Sequence, residues 1–122
     1  MTRVIHVNDA PADWRNRPEE FVYIGRVVPR RGLKKSRFAN WIKRSEYEIE
    51  ELLQRYEATM RRHLMIPVNP ALPSPKEIKA LHGKTLVCWC APNGGVTRDD
   101  KPWCCHGQVL AQLAEELNEE KR

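Results

Sequence analysis

No apolar run in this sequence approaches the roughly 20 residues needed to cross a bilayer, and the amino terminus lacks the apolar stretch of a secretory signal. A membrane-spanning helix is excluded on those grounds, and a cytoplasmic location is expected. Cysteine is absent from residues 1–87, and acidic side chains are absent between Arg26 and Arg44. The first absence confines all thiol chemistry to the last third of the chain. The second makes one segment strongly basic. There is also no internal repeat, which excludes a solenoid, and the connector carrying Pro67, Pro70, Pro73 and Pro75 is the one biased tract.

With 122 residues the chain is long enough for one domain around one core and too short for two. The 41% hydrophobic content suits a globular fold, while 30% charged residues imply a modest core and a wet surface. The net charge of +5 is concentrated in Arg26, Arg30, Arg31, Lys34, Lys35, Arg37, Lys43 and Arg44. A solvated loop is one reading of that segment. The other is a surface for the phosphates of a nucleotide or nucleic acid, held by Arg26, Arg30, Arg31, Lys34, Lys35, Ser36, Arg37 and Asn40, with Phe38 or Trp41 as a stacking face.

Local patterns predict a small α/β domain. Arg3 to Val7 reads as a strand ending at Asn8 and Asp9, residues 10–20 as a loop, and Phe21 to Ile24 as a second strand stopped by Gly25. A long helix follows, with Ser45 as cap and Glu48 completing a capping box. Ile49, Leu52, Leu53, Tyr56, Met60 and Leu64 form its apolar face, and His63 is expected to be exposed at its end. Ser74-Pro75-Lys76-Glu77 starts a short helix that ends near His82, with Gly83 as left-handed cap. Lys84 to Cys90 is the third strand, residues 91–103 an exposed loop, and the last helix begins near Cys105 or His106, with a frayed tail over 118–122. Val109, Leu110, Leu113 and Leu117 face its core side, and Gln108, Gln112, Glu115 and Glu116 are placed elsewhere. The expected architecture is one domain over 1–122. Its sheet has three or more strands, at least partly parallel, and is packed by the long, the short and the C-terminal helix. Helices between the second and third strands make that pair parallel, which brings Gly25, Arg26 and Cys90 to the carboxyl edge where open α/β sheets bind ligands.

In a strand, residues two apart face the same way, so Cys88 and Cys90 project together and Trp89 projects oppositely. The loop is long enough to fold Cys104, Cys105 and His106 back against them. Three thiolates and an imidazole suit a tetrahedral zinc ion held by Cys88, Cys90, Cys105 and His106, with Cys104 as an alternative to Cys105. An iron-sulfur cluster on the same residues is a further option. In a different reading Cys105 is a nucleophile at a helix amino terminus, His106 is a general acid or base, and Asn40 and Arg26 hold a nucleotide-like substrate. The same helix amides could instead hold a phosphate, with Gly107 permitting close approach. The plain alternative makes Cys88 and Cys90 small core residues and His106 only a helix cap. His6 and His63 are left out of the site.

Four segments carry a family resemblance: Val22-Tyr23-Ile24-Gly25-Arg26, Ser36-Arg37-Phe38-Ala39-Asn40, Leu81-His82-Gly83-Lys84-Thr85-Leu86 running into Cys88-Trp89-Cys90-Ala91-Pro92, and Cys105-His106-Gly107-Gln108-Val109-Leu110. Through them the chain resembles the domain of unknown function family numbered 4326, of bacteria and their phages. The family's Gly-Asn-Pro-Phe is replaced here by Ala39-Asn40-Trp41-Ile42, and Cys104 is an extra thiol. The resemblance implies a phage-type protein and a site set of Arg26, Ser36, Asn40, Cys88, Cys90, Cys105 and His106. It implies no activity. The expected function is a metal site beside a phosphate-contacting surface. The alternatives are the nucleotide-directed enzyme and an adapter that binds a host protein without catalysis.

Overall fold

Residues 2–26, 28–33, 36, 38–40, 42, 47–66, 70 and 72–119 are described by a computed structural model. Four strands, β1 (Arg3–His6), β2 (Phe21–Tyr23), β3 (Thr85–Cys88) and β4 (Val96–Thr97), form one mixed sheet in the order β2-β3-β1-β4. Strand β3 pairs in parallel with both β1 and β2, and β4 runs antiparallel to β1. The register sets Val22, Leu86 and Val4 in one row and Tyr23, Val87 and Ile5 in the next. Because side chains alternate, the first row faces the main core with the helices and the second faces a smaller core with Val7, Trp14 and Leu33. Apolar residues on both faces are what a parallel sheet requires.

Three helices, α1 (Ile49–Met65), α2 (Pro75–Lys79) and α3 (His106–Glu119), complete the fold. Leu52, Leu53, Tyr56 and Met60 of α1 are buried, as their spacing predicts. Helix α1 begins at Ile49, with Glu48 as an N-cap whose side chain caps nothing. The expected cap Ser45 lies outside the described residues. At α2 both arms of the capping box form, Ser74 accepting from the Glu77 amide and Glu77 from the Ser74 amide, with Pro75 in the first turn. The turn after α2 closes on Gly83 at φ +81°, a backbone conformation that glycine adopts without strain.

Three expectations are corrected. His63 is buried, not exposed, and its Nε2 has no hydrogen-bond partner among the described residues. Gln108 is fully buried, because the preceding segment folds over the face of α3 that helical periodicity assigns to water. Residues 91–103 are not loop throughout, since Val96–Thr97 pairs with β1. The loop over 10–20 holds a short 3-10 turn at Trp14–Asn16, and Trp14 is buried. Among the described residues, no helix is long and apolar enough to cross a membrane.

Helices α1 and α3 are clamped by an ion pair. Both terminal nitrogens of Arg61 donate to the carboxylate of Glu116 at 2.8 Å, and its Nε donates to Glu57 at 2.8 Å. Hydrogen bonding from Arg61 holds the Glu116 carboxyl down at about 2, below the ordinary 4.5. A depressed folded-state value means that this stabilisation is present above pH 4.5 and is lost as pH falls toward 2. Glu116→Gln should therefore lower stability near neutrality by about 1 kcal/mol, since both side chains are partly in water, and should flatten the loss between those two pH values. Thermal melts across that range, followed by circular dichroism, test both effects.

Candidate metal centre

The end of β3 and the start of α3 converge on three sulfurs. Cys88 shares the helix-facing side with Leu86, and the chain beyond it turns so that Cys90 Sγ lies 3.5 Å from Cys88 Sγ. Cys105, just before α3, places its Sγ 3.1 Å from Cys88 and 2.6 Å from Cys90. A disulfide would need about 2.05 Å, so the three sulfurs are in contact without a bond between them. Trp89 points the other way, into the smaller core, where its Nε1 donates to the Tyr23 hydroxyl at 2.9 Å.

His106 is the first residue of α3. Its Nε2 lies 2.8 Å from the carbonyl oxygen of Ile24. A carbonyl can only accept, so Nε2 carries a proton and Nδ1 is the nitrogen that faces the sulfurs. That Nδ1 is 3.4 Å from Cys90 Sγ. The Tyr56 ring meets the imidazole edge-on at 5.5 Å, and the Tyr56 hydroxyl donates to the Phe38 carbonyl at 2.8 Å. One tyrosine therefore packs on His106 and ties α1 to the segment after the basic turn.

Two neighbours fix the start of α3. The Gln108 Oε1 accepts from the amides of Cys104 at 2.8 Å and Cys105 at 3.1 Å, while its Nε2 donates at 2.9 Å to the carbonyls of both Thr97 and Asp100. Every donor and acceptor of that buried amide is used. Gln108 is the third residue of the helix, so Cys105-x-x-Gln108 takes the place of a capping box, and Cys105 Sγ accepts from the Gly107 amide at 3.4 Å. At Gly107, a Cβ would stand 2.6 Å from Val4 Cγ1 and 2.8 Å from Ile24 Cδ1. The missing side chain lets α3 press onto the sheet closely enough for Cys105 and His106 to reach β3 and β2.

Buried thiols resist carrying several charges together. The Cys105 contact favours the Cys88 thiolate, but the Cys90 contact and burial outweigh it and push Cys88 up to about 12. Burial first, then the contacts with Cys88 and Cys90, raise Cys105 well above the ordinary thiol range. Cys90 moves oppositely: thiol donors from Cys105 and Cys88 outweigh burial and hold it far below that range, with His106 assisting. Burial and mutual contact thus oppose ionising all three thiols together, and a cation would relieve that opposition. Cys88, Cys90 and Cys105, with sulfurs all within 4.8 Å of one another, could hold a metal ion.

The pattern of the family described as domain of unknown function (DUF4326) matches residues 7–116. The chain belongs to the DUF4326 family. No curated protein and no solved structure matches it.

The remaining expected site residues of this DUF4326 chain divide between two places. Arg26, Asn40, Cys90, Cys104 and His106 line a pocket of about 480 Å³ walled by Ile42, Ile49, Leu52 and Leu53. Cys104 lines the pocket, and the three sulfurs within 4.8 Å of one another are those of Cys88, Cys90 and Cys105. Arg30 and Arg31 lie on a separate 3-10 turn, with the Arg31 guanidinium 5.2 Å over the Trp89 ring. Ser36 is a turn former: its Oγ accepts from the Phe38 amide at 3.1 Å and its amide donates to the Gly25 carbonyl at 3.0 Å. Phe38 packs against the main core and so is not a free stacking face. Lys34, Lys35, Arg37 and Trp41 lie outside the described residues.

Two chemical expectations are corrected. Cys105 is fully buried with its thiol pKa raised, the opposite of what a nucleophile needs. The amides of Cys104 and Cys105 are taken by Gln108, and Gly107 accommodates Val4 and Ile24, so that helix start does not cradle a phosphate. Sequence reasoning missed Gln108, Tyr56 and the Ile24 carbonyl as parts of the site. Only Gln108 had a signal, its capping-box offset from Cys105. Gln108→Leu should cost about 2 to 4 kcal/mol, because it removes the partner of two amides and of the Asp100 carbonyl, the Thr97 carbonyl keeping the Asp100 amide. Urea unfolding of the variant beside the parent checks this.

Proposed function

We propose that the domain binds one zinc ion through Cys88, Cys90, Cys105 and Nδ1 of His106, and that the adjoining carboxyl edge of the sheet receives a phosphate-bearing ligand. The observation that carries the metal reading is the meeting of three sulfurs with an imidazole whose other nitrogen is committed to the Ile24 carbonyl. A ligating histidine characteristically has its second nitrogen so engaged, which fixes the tautomer and aims the ring. Three thiolates and one imidazole suit tetrahedral zinc, with Zn–S bonds of about 2.3 Å. Ligation spreads the sulfur triangle, most of all across its short Cys90–Cys105 side. The ion supplies the positive charge that the second and third thiolates need. An iron-sulfur cluster has less support, because its common ligand set is four thiolates.

The metal would join β3, α3 and, through His106, the end of β2, so that part of the folding free energy becomes metal-binding free energy. The phosphate reading is supported by the run of basic residues from Arg26 to Arg44 and by the position of Arg26 on the pocket beside Cys90 and His106. A nucleotide or a nucleic acid backbone would meet that charge.

Elemental analysis of purified protein should return about one zinc per chain, in line with a single four-ligand site. Cys105→Ser should lose most of it, and cobalt exchanged into the parent should give the absorption of tetrahedral thiolate coordination. A strong chelator should lower the melting temperature. Metal-free protein that melts as the metal-loaded protein does would count against the proposal.

A further inference from the structure

Of the described members of the basic run, Arg26 lines the pocket, and the Arg31 guanidinium lies 5.2 Å over the ring of Trp89, a residue that lines the same pocket. A nucleic acid backbone is held by many phosphate contacts along a track. Among the described residues the pocket's lining includes one guanidinium, that of the exposed Arg26, which has no side-chain partner among them, in a concavity of about 480 Å³. That size falls in the range of small-molecule sites. Its apolar lining is formed by Ile42, Ile49, Leu52 and Leu53 together with Trp89.

One further polar group is aimed by the fold. Asn40 Oδ1 accepts from the Ile42 amide at 2.9 Å, which turns the donor end of the amide the other way. Among the described residues that Nδ2 makes no hydrogen bond, and Asn40 lines the same pocket. An aliphatic wall, one amide donor and one cation together describe a ligand with an apolar ring, an acceptor on the ring and a single anionic group.

We propose, resting on the phosphate-ligand reading above, that this pocket is a small-molecule site for a ring-bearing oxyanion. The ring lies on Ile49, Leu52 and Leu53, a ring acceptor meets Asn40 Nδ2, and the oxyanion meets Arg26. A nucleoside monophosphate and a heteroaromatic carboxylate share this chemistry. They differ in the distance from ring to anion, so the two classes are tested side by side.

The experiment is a calorimetric and ligand-observed NMR titration of the full chain, with zinc content measured on each sample. The probes are the four common nucleoside 5′-monophosphates, indole-2-carboxylate, adenosine, inorganic phosphate and a single-stranded oligonucleotide. At least one ring-bearing anion should bind with a dissociation constant below about 1 mM, and adenosine and inorganic phosphate should bind about tenfold more weakly. Arg26→Ala should weaken binding by about tenfold with zinc content unchanged. Ile49→Trp, which fills the pocket from the first turn of α1, should abolish binding while the melting curve stays cooperative. Zinc-loaded protein that binds no probe overturns this inference and leaves the metal reading standing. Binding by metal-free protein supports the pocket, and the metal reading is then decided by its own zinc content and melting comparison. An oligonucleotide that binds more tightly than every monophosphate, with an affinity indifferent to Arg26→Ala, overturns the small-molecule site.

Discussion

Three sulfurs packed into one buried corner cannot all be thiolates without a compensating positive charge, and much of this domain is arranged around that constraint. Cys88 and Cys105 are fully enclosed, and the Cys90 thiol is held down by its contacts with Cys105, Cys88 and His106. The parallel pairing of β2, β3 and β1 puts the ends of all three strands on the same side, so the Ile24 carbonyl is within reach of His106. The absence of a side chain at Gly107 brings α3 down onto Val4 and Ile24, and the four hydrogen bonds of Gln108 fix where α3 starts. Removing any one of these supports changes the distance between sulfurs that neither packing nor a disulfide sets.

Legibility from sequence followed the range of the interactions. The alternation that sends Cys88 and Cys90 one way and Trp89 the other is a local property of β3 and its extension, and it was readable. So were the Ser74 capping box, the left-handed turn at Gly83 and the parallel relation of β2 to β3. Strand β4 was not, because two residues carry no pattern and their strand character comes only from pairing with β1. Helical periodicity assigned Gln108 to solvent, and His63 was placed in water for its position near a helix end. Gln108 is enclosed by the segment carrying Thr97, Asp100 and Cys104, which folds back over the helix and which a one-helix pattern does not register. The choice between Cys104 and Cys105 turned on a single residue of helix phase, finer than sequence patterns place helix ends.

Charge behaved in the same way. The run of basic residues reads as one surface in sequence, but a 3-10 turn and the edge of the sheet partition it. Arg26 is delivered to the pocket wall, and Arg31 is stacked on an aromatic ring that belongs to the smaller core. Among the described residues the concavity beside the sulfurs is lined by one cationic side chain, Arg26, and by Leu52 and Leu53 of α1. Tyr56 connects the two halves of this arrangement, since it packs on His106 while bonding the backbone that leads to Asn40.

The smallest element has a role beyond the site. Strand β4 occupies the outer side of β1, where an open row of amides and carbonyls would otherwise face water. With only two residues of its own, it presents almost no ladder to an incoming chain. At the opposite margin β2 is only three residues long and lies just after Arg17 and Pro18. A sheet terminated by short segments at both margins is a poor template for intermolecular strand addition, which protects a domain this small from self-association while its thiol corner is still being assembled.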